Sequence, residues 1–175
     1  MSNFNYDTYC GIYCGACSIL RAYKTGNKDN FASYWTKSTL KDFLKGQGVS
    51  IAEGEDLSLK CHGCKTDTIF INCKYCKIRT CAISKKVEHC NDCEQYPCNL
   101  LNNTLLNEEI QKQLPHLKAA LDNLNTIKNA GVNNWLEQQE KQWKCPECDT
   151  TSSWYTFSCP SCGKDLTGSK DYGNK

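Results

Sequence analysis

No run of about 20 apolar residues, the minimum for a membrane-spanning helix, occurs in this chain, and its mean hydropathy is low at −0.61. A membrane partner is therefore not expected. Histidine is scarce, with three residues, and none of His62, His89 and His116 lies in a recognisable nucleophile and carboxylate pattern. The chain also lacks a glycine-rich phosphate loop, a dinucleotide fingerprint and a His-Glu-x-x-His helix. These absences point away from nucleotide chemistry and from the familiar hydrolases, so the expectation leans against an enzyme. The opening MSNFNYDTYC has no apolar signal stretch, and an odd total of 15 cysteines cannot all pair as disulfides. The expected setting is the cytoplasm, with reduced thiols.

Cysteine is what the sequence has in excess. Eleven of the 15 lie between Cys10 and Cys98 and four between Cys145 and Cys162, while residues 99–144 contain none. Six Cys-x2-Cys pairs occur: Cys14/Cys17, Cys61/Cys64, Cys73/Cys76, Cys90/Cys93, Cys145/Cys148 and Cys159/Cys162. Two intervening residues let the backbone turn so that both sulfurs face one tetrahedral centre, and two such turns complete a four-sulfur site. Thioredoxin-like redox motifs share the spacing but belong in a βαβ setting that is not evident here.

The tail WKCPECDTTSSWYTFSCPSCGKDL looks like a zinc ribbon. Cys145, Cys148, Cys159 and Cys162 make a closed thiolate set, with a strand expected over Trp154, Tyr155, Thr156 and Phe157. In the first block a sequential grouping places Cys61, Cys64, Cys73 and Cys76 around a strand at Thr68–Ile71, and Cys81, Cys90, Cys93 and Cys98 around a helix at 78–86. Cys10, Cys14 and Cys17 are then one ligand short. His62, His89, a carboxylate, water or a cysteine shared with a neighbouring site are the alternatives, and interleaved sets remain open. Cys-x3-Cys-x2-Cys is also the spacing by which radical S-adenosylmethionine enzymes hold an iron–sulfur cluster, but the chain is too short for their barrel. Thiolates serve both metals, so an iron–sulfur cluster in the first block stays open beside zinc.

Outside the cysteine turns the pattern is helical. A helix capped by Asp29 or Asn30 is expected over 30–45, with Lys37, Lys41 and Lys45 four apart on a solvated face. Leu106, Ile110 and Leu114 form one helical stripe. Pro115 starts another that runs through Leu117, Leu121 and Leu124 to a cap at Gly131, and a third helix is expected over 132–142. The leucines read as core packing rather than a coiled-coil seam. The expected fold is a small, metal-rich α+β arrangement, mainly helical, with Cys-x2-Cys knuckles, short strands and a C-terminal zinc-ribbon hairpin. It divides into a cysteine-rich multi-metal domain at 1–98, a helical segment packed on it at 99–143, the ribbon at 144–166 and a flexible tail at 167–175.

Bound as thiolates to four divalent zincs, the fifteen cysteines remove seven positive charges, taking the formal +2 to about −5. Nucleic acid is thus a less favoured partner than protein.

The elements CGIYCGAC at 10–17, CHGC at 61–64 and CKIRTCAISKKVEHCNDCEQYPC at 76–98 resemble a cysteine-rich family of bacteria and archaea, domain-of-unknown-function family 3795. Ile78, Arg79, Ala82, Lys85 or Lys86, Tyr96 and Pro97 share in the likeness. It covers roughly the first hundred residues and implies a shared fold and metal-binding framework, with no activity attached. Three readings of function follow: a zinc-stabilised binding or adaptor protein, a metal-dependent or iron–sulfur redox enzyme using an open site at Cys10, Cys14 and Cys17, and metal storage or delivery. The first, with about four zincs, is preferred.

Overall fold

Three helices begin on a cysteine. In the computed structural model, which describes residues 4–167, Cys17 is the N-cap of α1 (Ser18–Thr25), Cys76 of α5 (Lys77–Lys85) and Cys98 of α6 (Asn99–Asn102). A helix N-terminus presents unpaired amides and favours negative charge, which suits a thiolate. The remaining helices are α2 (Asn30–Tyr34), α3 (Lys37–Gly46), α4 (Ile71–Lys74), α7 (Glu108–Gln113), α8 (Ala120–Ala130) and α9 (Val132–Gln142), with 3-10 turns at Cys14–Ala16, Cys90–Asp92 and Pro115–Ala119. About half of the chain is helical, and none of these helices is long and apolar enough to cross a membrane. The flexible tail expected at 167–175 falls, beyond Thr167, outside the described residues.

Strand content is small. Among the described residues there is no paired ladder, only isolated antiparallel bridges at Lys144–Thr151 and Ser158–Asp165. At the expected strand Thr68–Ile71, Ile71 instead opens α4, because Phe70 and Ile71 are both drawn into the core. The Trp154–Phe157 run is likewise not extended. Trp154 and Tyr155 sit in a turn closed by the Ser153 and Thr156 hydroxyls, 2.7 Å apart, and their rings serve the core instead of a sheet face.

The long helix expected over 30–45 is two. Asp29 caps α2 by accepting the Ala32 amide at 2.8 Å. The chain then breaks at Trp35, whose ring packs among Phe31, Phe43 and Phe70. Thr36 restarts the helix through a reciprocal box with Thr39, at 3.2 and 2.9 Å. Lys37, Lys41 and Lys45 are exposed along α3. Asn107 caps α7 through the Ile110 amide, Pro115 opens a 3-10 turn, Gly131 ends α8, and α9 covers the residues read from the sequence.

Of four apolar clusters among the described residues, one lies within the tail, at Cys145, Cys159 and Leu166, and three hold these pieces. Ile19, Leu20, Ala32, Leu40, Leu44 and Phe70 form the first. Ile78, Leu101, Leu105, Leu117 and Ala120 form the second, which absorbs much of the leucine stripe. The third joins all parts of the chain: Tyr13 and Ala16 from the first block, Ile127, Trp135 and Trp143 from the helices, and Trp154 from the tail. Trp135 is fully buried, with the Tyr13 ring edge-on to it at 6.0 Å. The Trp154 amide donates to the Ala16 carbonyl at 3.0 Å, and Asp29 Oδ2 accepts from Ser18 at 2.6 Å and from Ser153. The tail is thereby pinned to the start of the chain.

Candidate metal centres

The tail quartet is built from two copies of one turn. After each Cys-Pro-x-Cys the next residue has positive φ, +56° at Asp149 and +74° at Gly163. Its amide donates back to the first cysteine's carbonyl at 2.9 Å in both turns. Glycine meets that left-handed conformation freely, and aspartate is among the side chains that tolerate it. The two turns bring Cys145 Sγ to 3.6 Å from Cys162 and Cys148 Sγ to 3.5 Å from Cys159, with all four sulfurs within 4.8 Å of one another. Corners of a tetrahedron with metal–sulfur bonds near 2.3 Å lie about 3.8 Å apart, so the spacing fits one ion. Cys145 and Cys159 are buried, while Cys148 and Cys162 lie outside.

The protons on this quartet are held unequally. The Thr150 hydroxyl and amide stabilise the Cys148 thiolate, bringing it down to about 6. The Cys162 and Ser161 amides lower Cys159. At Cys162 the Lys164 amide pulls downward, but the crowding of Cys148, Cys145 and Cys159 prevails and lifts it to about 12. A divalent cation removes that crowding.

All eleven first-block cysteines carry free thiols. Among the described residues none of them forms a group as tight as the tail quartet. Their packing nonetheless sorts them. Cys61 is buried in the first cluster, and Cys14, Cys17 and Cys73 lie against that same cluster. Cys10, Cys76, Cys90 and Cys98 lie against the second. Cys81, Cys90, Cys93 and Cys98 line one small cavity.

The electrostatics follow the packing in part and link the two groups through Cys64 and Cys76. Burial, then Cys17, Cys64 and Cys73, raises Cys14 well above the usual thiol range, and burial with Cys17, Cys61, Cys64 and Cys76 does the same for Cys73. Burial lifts Cys10 to about 11, with Cys76 adding to the rise, and it raises Cys64 beside Cys10 and Cys76. Burial pushes Cys90 to about 12, assisted by Cys10, Cys98, Cys81 and Cys76. Cys10 thus departs from Cys14 and Cys17, which the sequential grouping had put together. Both cysteines of the CHGC turn lie beside Cys73, Cys61 with Cys17 and Cys64 with Cys14, Cys10 and Cys76. Gly63 sits between them at φ +125°, close against the Asn5 backbone, and the Asn5 amide donates to the His62 carbonyl at 2.8 Å.

Residues 6–103 of the 175 match the model of the family described as protein of unknown function, DUF3795. The chain belongs to that family. No curated protein and no solved structure matches.

Within the DUF3795 segment, polar side chains surround the sulfurs. The Lys85 ammonium reaches Cys93 Sγ at 3.4 Å, Arg79 Nε donates to the Cys64 carbonyl at 2.9 Å, and the Thr8 hydroxyl lies 3.7 Å from Cys10 Sγ. A buried trio stands behind them: Asp7 takes the Lys65 ammonium at 2.7 Å and His89 Nε2 at 2.9 Å. Burial works to raise the Asp7 carboxyl, but His89 and Lys65 outweigh it and hold it below the usual range. Sequence reading passed over Asp7 and Lys65, which lie 58 positions apart in ordinary polar surroundings. His62, a candidate for the missing ligand, packs its ring against Phe4 and Tyr23 at 4.9 and 5.6 Å. His116 lies far from the cysteines in role: it is buried, stacked flat on Trp154 at 3.9 Å, with Nδ1 2.6 Å from the Tyr155 hydroxyl.

Proposed function

We propose that this chain is a zinc-held binding or adaptor module of the cytoplasm, in which about four structural zincs replace part of the apolar core and the outer surface takes up a protein partner. The carrying observation is the tail quartet, whose four sulfurs have the spacing of one tetrahedral ion. A closed set of four thiolates leaves no coordination position for a substrate, which favours structure over catalysis. We read the tail as a zinc ribbon on the strength of its paired Cys-Pro-x-Cys turns and their matching bridges. In the first block we assign one zinc to Cys14, Cys17, Cys61 and Cys73, and the other seven cysteines to two more. Fifteen free thiols support a reducing compartment. The net charge of about −5 that such a holo-protein carries works against phosphate-backbone binding.

Each structural zinc supplies on the order of 10 kcal/mol of apparent folding free energy. Protein purified without oxygen should therefore contain about four zincs per chain by elemental analysis, and should lose its helical circular dichroism when a strong chelator removes them. Folded protein free of metal would overturn the reading. A brown, air-sensitive chromophore would transfer the first block to iron–sulfur chemistry.

A further inference from the structure

The segment at residues 4–6 and helix α9 face each other across an open groove of about 570 Å³. The rings of Phe4 and Tyr6 form one wall, and Leu136, Glu137 and Glu140 form the other. Leu136 and Glu137 lie four and three positions before Glu140 and so share a helix face, while Trp135 and Gln139 turn inward to the core. Lys24 steadies the ring wall, donating to the Tyr6 hydroxyl at 2.7 Å with its ammonium 5.5 and 5.4 Å from the Phe4 and Tyr6 ring centres.

Tyr13 supplies the floor. It is 4 % exposed, edge-on to Tyr6 at 5.9 Å and to Trp135 at 6.0 Å. Gly15 makes the room, because a Cβ there would collide with the Tyr13 hydroxyl. Among the described residues no group hydrogen-bonds to that hydroxyl, and it is not one of the sealed side-chain atoms, so it opens into the groove that Tyr13 lines. A polar group more than nine-tenths buried and left unmatched by the protein marks a place where an outside group is met.

The charge of the groove has one sign. No lysine or arginine lines it, whereas Glu137 and Glu140 both do. Glu137 has no ion-pair partner among the described residues, and Glu140 has an exposed one, Lys144 at 2.9 Å, of the i,i+4 kind that contributes little. Aromatic faces beside carboxylates select a long cationic side chain, whose methylenes pack on the rings while its head meets the acids. Arginine suits this groove better than lysine. A planar guanidinium stacks on rings, pairs with a carboxylate through two N–H donors and keeps others for the Tyr13 oxygen.

We infer that this groove is the partner-binding surface of the module and takes an arginine-bearing segment of another protein, the guanidinium donating to Glu137 and Glu140 at the wall and to Tyr13 at the floor. The inference rests on the adaptor reading above.

The test is titration of the zinc-loaded, nitrogen-15-labelled full chain with a capped pentapeptide of alternating glycine and arginine, followed by nuclear magnetic resonance. Saturable shifts are expected at residues 4–6, 13 and 133–140. The citrulline counterpart, which keeps the shape and loses the charge, should bind at least about fivefold more weakly. Glu137→Gln with Glu140→Gln should weaken the arginine peptide by at least about fivefold and Tyr13→Phe by at least about threefold, whereas Glu108→Gln with Glu109→Gln on α7 should change nothing. Equal affinity for the citrulline peptide, equal affinity in the Glu137 and Glu140 variant, or no shift at these residues would overturn the inference. Shifts of the same residues with protein concentration alone would assign the groove to a second copy, which overturns it too. Each of these results leaves the loss of helical signal on chelation intact, whereas failure of the zinc reading shows as folded chain free of metal. Should the double variant fail to fold, the citrulline comparison in the native chain decides alone.

Discussion

Lowering the pH from 7.5 to 5.5 should destabilise this protein through one histidine that is no metal ligand. His116 is 8 % exposed, lies flat on Trp154 and meets the Tyr155 hydroxyl. Burial alone depresses it from the ordinary 6.5 to about 3. A depressed histidine is neutral in the folded state, so its contribution is complete above the unfolded value of 6.5. That contribution drains away as pH falls from 6.5 toward about 3, because the unfolded chain takes up the proton first. At pH 5.5 the unfolded imidazole is about tenfold more protonated than neutral while the folded one stays neutral, which costs about 1.4 kcal/mol. The figure is insensitive to the folded value so long as that value stays well below 5.5.

The assay is urea unfolding of zinc-loaded wild type and His116→Phe at both pH values with zinc in excess. Phenylalanine keeps the flat ring on Trp154 and loses the Tyr155 contact, a pH-independent cost of about 1 kcal/mol. Acid release of zinc from thiolates is common to both proteins and cancels in the comparison. Wild type should lose about 1.4 kcal/mol more than the variant between the two pH values. A difference below about 0.4 kcal/mol, the scatter expected of independent sites, would refute the assignment of His116 as a buried neutral base.

Two other perturbations separate the core from the metal framework. Trp154→Ala removes a ring that is 7 % exposed at the junction of tail, helices and first block. It should cost about 3 to 5 kcal/mol in urea unfolding without changing metal content by mass spectrometry. Gly63→Ala would put a Cβ 1.8 Å from the Asn5 carbonyl oxygen at φ +125°, whereas Gly54→Ala at φ +83° meets nothing within 4 Å. The first should cost at least about 3 kcal/mol and the second about 1. Equal urea midpoints for the two would show that the CHGC turn does not need its close approach to residue 5.

Much of the local structure was legible. The cap at Asp29, the stop at Gly131 and the limits of α9 follow from side chains that act on their own neighbours. The strands expected at Thr68–Ile71 and Trp154–Phe157 failed for a common reason. β-propensity reports a side chain's fitness for a half-buried sheet face, but Phe70, Ile71 and Trp154 found burial against helices, where no sheet was needed. The helix expected over 30–45 broke for a related one. Trp35 is held by ring contacts with residues from three segments, and local periodicity carries no record of them.

The amino-acid order alone determined that this is a cysteine-turn protein. Paired thiols two residues apart are a local geometry, complete within four residues, and the tail's two turns lie close enough along the chain to meet each other. Only the tertiary structure decided which apolar cluster each first-block thiol packs against. Cys10, Cys76, Cys90 and Cys98 lie against one, while Cys14, Cys17 and Cys73 lie against the one that holds Cys61. Those placements bring together residues 44 to 80 positions apart in the chain. Because every cysteine carries the same donor atom, nothing in its type distinguishes one partner from another.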